Sequence, residues 1–269
     1  MKIREMTLPS KRHTDIPVTV VDCEKETCGL LVFVHGFKAN RTEDGRFLTV
    51  AKAMAEDGFS SVMQGFPGCD ASTEDFINYT LKNCLDDIDT SVAWMRENFR
   101  LDYRFGMVGY SMGGRLTALY LRQHPEVQCA GFWAGACYEA FDGEETFLGQ
   151  NIEQMKQEAS EKGYCNFFNA FDNTMLRLSS GLLQDMEGMN PVEGLEAFTG
   201  DAVVVHGTAD VTVLPKVGRK TYDHLVHARK KELVLVAEAD HGFGAWEGRP
   251  ELSAQLTDNT IRFFRENLK

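Results

Sequence analysis

The stretch Val108-Gly109-Tyr110-Ser111-Met112-Gly113-Gly114 constrains this chain more than any other. An apolar run from Phe105 to Val108 precedes it and reads as a buried strand. Arg115 to Leu121 follows and reads as a helix. A G-x-S-x-G set between a strand and a helix is a sharp turn that puts its serine in a strained backbone conformation. Glycines two residues to either side remove the side chains that would clash there. The serine hydroxyl is expected above the end of a sheet, with a helix N-terminus beneath it.

The rest of the chain repeats the same strand-to-helix grammar. Residues 2–7 and 13–22 read as an antiparallel hairpin, placed at a sheet edge by Pro17. The continuous apolar run 29–34 is a strand buried on both faces. An amphipathic helix is expected over 46–57, with Phe47, Val50, Ala51, Met54 and Ala55 on one face. Strand 59–63, a long helix over 75–99, strand 105–109, a helix to about Gln123 and strand 127–132 follow. After a gap, strand 202–205, helix 215–227, strand 232–236 and helix 252–267 resume the pattern. This alternation predicts an α/β fold, a mostly parallel sheet with helices on both faces.

The gap itself, 137–199, is Phe- and Met-rich and reads as mostly helical, with no clear buried strand. Its apolar set is Phe141, Phe147, Phe167, Phe168, Phe171, Met175, Leu176, Leu182 and Leu183. It is far longer than an ordinary connection. The expected organisation is therefore a core domain of residues 1–136 and 200–269, with 137–199 inserted as a helical cap over the sheet edge.

Composition removes several classes of function. At 269 residues and 43% hydrophobic content the chain can bury one sizeable core. A net charge of −12 argues against a nucleic-acid partner, which rewards Lys and Arg patches. No apolar run is long enough to cross a membrane. The stretch Met1–Met6 lacks the apolar region of a signal peptide, so a cytoplasmic protein is expected. The seven cysteines are odd in number and contain no C-x-x-C, which suits free thiols in a reducing compartment. None occupies an elbow-like position. No H-E-x-x-H or comparable metal spacing occurs.

Three polar residues follow three different predicted strands: Ser111, Asp210 in His206-Gly207-Thr208-Ala209-Asp210, and His241 in Asp240-His241-Gly242-Phe243. In a parallel sheet the loops at the carboxyl ends of strands share one edge. Serine is a weak nucleophile that needs an adjacent base. His241 can take its proton, and Asp210 can fix the imidazole tautomer. The backbone N–H groups of Met112, just after the serine, and of Phe37, just after His35-Gly36, are candidate oxyanion donors. Asp240 is a rival acid, less suited because it lies in the same turn as the base. His35 and His206 read as structural strand-end residues. His13, His124, His224 and His227 have no partner set. Phe37, Phe66, Phe243 and Trp246, with the cap aromatics, suggest an apolar acyl or aryl pocket.

These motifs together resemble the α/β-hydrolase superfamily. Within it the chain is similar to small bacterial carboxylesterases of the feruloyl (cinnamoyl) esterase, serine aminopeptidase-like and monoglyceride-lipase-like group. The resemblance implies an eight-stranded core, a cap after the sixth strand, no cofactor, and hydrolysis of a small-molecule ester through an acyl-serine intermediate. One loop departs from the group. Where a D-x-R-G-x-G-x-S turn is common, this chain has Gly65-Phe66-Pro67-Gly68-Cys69-Asp70-Ala71-Ser72, which bears on specificity. Thioester or amide cleavage at the same residues, and a non-catalytic binding protein, are the alternatives. Oligomeric state is left open, a homodimer among the options.

Overall fold

The computed structural model describes residues 1–141 and 145–269. Strands β1 (Lys2–Pro9) and β2 (Asp15–Asp22) are the antiparallel hairpin at one edge of an eight-stranded sheet. The other members are β3 (Cys28–Val34), β4 (Phe59–Gln64), β5 (Leu101–Tyr110), β6 (Cys129–Trp133), β11 (Asp201–Gly207) and β12 (Lys230–Val236). Their spatial order is β1-β2-β4-β3-β5-β6-β11-β12. β2 pairs antiparallel with β4, and from there the sheet is parallel to its far edge.

Strands β3 and β6 are apolar without a break because both faces are covered. Along β3, Leu30, Val32 and Val34 enter one core cluster, while Leu31 and Phe33 enter the other. β11 divides in the same way, Ala202 and Val204 against Val203 and Val205. Helices α1 (Arg46–Glu56) and α8 (Pro250–Asn267) cover the second face. The first face carries α2 (Leu81–Asn98), α3 (Met112–Leu121) and α7 (Pro215–His224). The apolar stripe expected on α1 is buried, and each large side chain in it contributes about 2 kcal/mol.

One helix starts later than its periodicity predicts. Asp75 caps a short 3₁₀ turn, Phe76–Asn78, and α2 begins only after Thr80, whose hydroxyl accepts the Asn83 N–H. Local side-chain caps break what the apolar spacing reads as one helix.

The insertion between β6 and β11 is not uniformly helical. It contains the short pair β7 (Thr146–Phe147) and β8 (Gln150–Asn151), then α4 (Ile152–Lys162). A hairpin of β9 (Tyr164–Asn169) and β10 (Thr174–Ser179) follows, and then α5 (Ser180–Gly188) and α6 (Pro191–Ala197). In the hairpin Cys165, Phe167, Leu176 and Leu178 point inward, while Phe168 and Met175 face out. Six-residue strands with mixed Asn and aromatic content mimic helix-forming apolar density in a sequence. Period-two alternation around the turn at Asp172-Asn173 was the available signal. Helix α6 packs against α3, with the Gly194 α-carbon close to the Ala118 carbonyl.

Candidate active site

Ser111 sits between β5 and α3 with φ 53° and ψ −119°. That left-handed conformation is strained for a serine and is held by its surroundings. The Ser111 N–H donates to the Trp133 carbonyl (2.9 Å), and its own carbonyl accepts from Ala136 (2.9 Å). The flanking glycines are required by packing. A Cβ on Gly109 would lie 2.3 Å from the Gly113 carbonyl oxygen, and one on Gly113 only 1.9 Å from that of Val34. The elbow is thus wedged against the end of β3, which brings Ser111 beside the His35–Phe37 loop.

His241 Nε2 lies 3.0 Å from Ser111 Oγ, and His241 Nδ1 lies 2.7 Å from Asp210 Oδ2. An ionised carboxylate can only accept, so Nδ1 carries the proton and Nε2 is left to accept from the serine hydroxyl. Burial alone would raise the Asp210 pKa, but hydrogen bonds from His206 and His241, the electrostatic pull of the His241 imidazole and the Val213 N–H hold it well below the usual carboxylate range. The Thr212 and Val213 N–H groups both donate to Asp210 Oδ1 at 2.9 Å. Thus the three residues selected from the sequence form one hydrogen-bonded line, almost fully buried at its Asp end.

Met112 is the first residue of α3, so its N–H has no partner within the helix. Phe37 follows Gly36 in the loop after β3, and it lines the same cavities as Ser111. His35 is fully buried. Its Nδ1–H donates to the Gly36 carbonyl (2.8 Å) and its Nε2 accepts the Phe66 N–H (3.2 Å). Desolvation pushes its pKa down to about 4, so the ring is neutral. His206 donates from Nε2 to the Val213 carbonyl (2.8 Å), which anchors the turn presenting Asp210. Asp240 accepts the Gly244 N–H (2.7 Å) and caps its own turn.

Two cavities meet at Ser111. The larger, about 400 Å³, is mostly apolar, with Met112, Tyr138, Phe141, Phe147, Leu148 and Val213 in its wall. The smaller, about 240 Å³, is more polar, with Asn40, Glu43, Asn169, His241 and Trp246. Of the four aromatics expected near the motif loops, Phe37 and Trp246 line a cavity. Phe66 and Phe243 are instead fully buried core residues, Phe66 packed on His35 with ring centroids 4.5 Å apart. Strand-end position does not distinguish a ring that fills the core from one that lines a pocket.

The sequence did not single out Tyr110, Glu43 or Arg46. The Tyr110 ring stacks on His241 (5.1 Å between centroids) and its hydroxyl donates to the His241 carbonyl (2.9 Å). Arg46 donates to the Gly242 carbonyl (2.9 Å) and lies over the Tyr110 ring. An arginine opening a helix, where the macrodipole favours acids, was the signal that Arg46 has a tertiary partner. Among the described residues no group of three or more His, Cys, Asp or Glu side chains could hold a metal ion. All seven cysteines are free and buried. No helix of the described residues is long and apolar enough to cross a membrane.

A family profile described as the alpha/beta hydrolase fold matches residues 29–132. A sequence search of curated proteins finds no match. Among solved structures, Est1E from Butyrivibrio proteoclasticus with ferulic acid bound is similar to this chain at 16% identity. Its TM-score is 0.78, covering 97% of this chain and 99% of that one. The esterase domain of a Rhodothermus marinus protein aligns at 13% identity with a TM-score of 0.69 over 100% of both chains. An esterase from Exiguobacterium antarcticum aligns at 16% identity and a TM-score of 0.67, covering 96% of this chain and 100% of that one.

Proposed function

The chain has the α/β-hydrolase fold, and on that premise we propose that it is a serine hydrolase of carboxylic esters with Ser111, His241 and Asp210 as its catalytic residues. The reading is carried by the unbroken line Ser111 Oγ, His241 Nε2, His241 Nδ1, Asp210 Oδ2 opening onto both cavities. His241 takes the serine proton as Oγ attacks the ester carbonyl. The Phe37 and Met112 N–H groups receive the negative charge on the carbonyl oxygen. His241 then returns the proton to the departing alcohol. Water, activated by the same imidazole, releases the acid from Ser111.

The proton leaves from the His241 side, and His241 lines the smaller cavity. The alcohol half of the ester therefore occupies that cavity, and the acyl half the larger apolar one. About 400 Å³ walled by aromatic and aliphatic side chains suits an aromatic or medium-chain acyl group. The ferulic acid bound to Est1E is an acid of that kind. A panel of aryl ester, acyl thioester and aminoacyl anilide, run beside fluorophosphonate labelling, tests the reading. The expected result is ester turnover and a label confined to Ser111. Cleavage of the anilide alone, or a label that persists in Ser111→Ala, overturns it.

A further inference from the structure

Glu43 is a buried carboxylate in the loop between β3 and α1, 3% exposed. Its Oε1 accepts the Gly36 N–H at 2.7 Å, and its Oε2 accepts from Arg46 at 3.2 Å. The next N–H along the chain from Gly36 is that of Phe37. Glu43 therefore grips the peptide immediately before the one assigned to the oxyanion. The grip is built into the backbone, because Glu43, Asp44 and Gly45 are consecutive left-handed residues with φ of 48°, 53° and 86°. This curl turns the Glu43 side chain back onto Gly36. Arg46 extends the tie across the site, reaching the Gly242 carbonyl beside His241 (2.9 Å) and the face of Tyr110 beside Ser111 (5.0 Å to the ring centroid).

We propose that Glu43 is a positioning residue for the hydrolytic reaction, its carboxylate fixing the Gly36 peptide so that the Phe37 N–H is held where the oxyanion forms. The proposal rests on the hydrolase reading above. A preorganised donor stabilises charge only when it does not have to reorient as that charge develops. A glycine before the donor leaves the loop free to turn, and the Glu43 bond removes that freedom. Burial pushes the Glu43 carboxyl up to about 7, against the pull of Arg46 and the Gly36 N–H. A carboxylate is thus an unfavourable filler here, and its two hydrogen-bonded partners are what oppose the cost.

Two conservative variants separate position from charge. Glu43→Gln keeps an acceptor at the right reach for Gly36 and removes the charge. Glu43→Asp keeps the charge opposite Arg46 and tolerates a left-handed φ, but withdraws the acceptor by one methylene. Positioning predicts that kcat falls about tenfold in Glu43→Asp with KM within twofold, while Glu43→Gln stays within threefold of wild type. Affinity for an alkylboronic acid, which forms a tetrahedral adduct on serine, should weaken tenfold in Glu43→Asp. Affinity for the product carboxylic acid should not change. The reverse order, Gln damaged and Asp intact, would make Glu43 a mere counter-ion for Arg46 and overturn the proposal. So would equal kcat in all three proteins while fluorophosphonate still labels Ser111. Absence of that label in the wild type would instead defeat the hydrolase reading.

Discussion

The loops at the carboxyl edge of the sheet and the insertion between β6 and β11 face each other across the same cavities, and they are built differently. On the sheet edge Ser111, Asp210 and His241 are each tied from several directions. Ser111 is held by Trp133 and Ala136, Asp210 by Thr212, Val213 and His241, and Gly36 by Glu43. The insertion contributes wall surface, including Phe141, Phe147, Leu148 and Phe171, and none of the proposed catalytic groups. Part of its apolar surface faces solvent, with Phe171 62% and Met175 63% exposed. Its ends are fastened by one fully buried residue. Arg115 on α3 donates to the Tyr138 carbonyl (2.6 Å) at the start of the insertion and to Met186 and Met189 (2.8 and 3.0 Å) near its end. On the proposed function, the difference is a division of labour. Groups that must meet a transition state within fractions of an ångström are overdetermined, whereas a wall that selects a substrate needs only shape.

That division can be broken at four points, in order of expected effect. Ser111→Ala should lower kcat on an aryl ester by about 10⁵-fold with the thermal melt unchanged. A smaller loss in steady-state assays would mean that the edge is not where the chemistry occurs. Asp210→Asn should cost about 10⁴-fold, because an amide can donate to Nδ1 and so favour the wrong tautomer. Arg115→Lys should leave kcat within about threefold. It should lower Tm by about 5 °C and raise KM, since a compact ammonium cannot reach three carbonyls at once. If kcat collapses there instead, insertion and edge are one unit. Leu148→Ala, in the lining of both cavities, should reduce kcat/KM about fivefold for a bulky acyl ester and leave an acetate ester unchanged.

A further prediction concerns stability and pH. The Glu43 carboxyl titrates at about 7 in the folded chain, against an ordinary value of 4.5. The folded state binds this proton more tightly than the unfolded state. Stability from this group therefore declines as pH rises from about 4.5 to 7, and the full penalty persists above 7. The Tm difference between wild type and Glu43→Gln should accordingly shift against the wild type between pH 5 and pH 8. A difference that is flat with pH would mean that Arg46 and the Gly36 N–H fully offset the burial.

The legible parts of this protein are those whose cause is local. A continuous apolar run specifies a strand covered on both faces, and β3 and β11 follow it residue by residue. Glycines at 109 and 113 mark a turn that no side chain can enter, so the Ser111 elbow is readable from the order of residues alone. Asp210 and His241 are readable because strand ends in a parallel sheet share an edge, whatever the loop lengths between them. The insertion is less legible. Its hairpin is short and mixed in composition, and only contacts with β7 and the core decide which of Phe167 and Phe168 turns inward.

The sequence by itself determined the alternating frame, the strained serine turn and the three polar residues at strand ends. Each follows from a pattern that a few neighbouring residues enforce. Only the tertiary structure decided that Phe66 and Phe243 fill the core rather than the pocket, that Arg115 fastens the insertion, and that Glu43 reaches Gly36. The two rings go where packing against distant side chains buries them, and Arg115 and Glu43 go where distant backbone atoms lie within about 3 Å, because unpaired burial of a polar group is too costly to leave open.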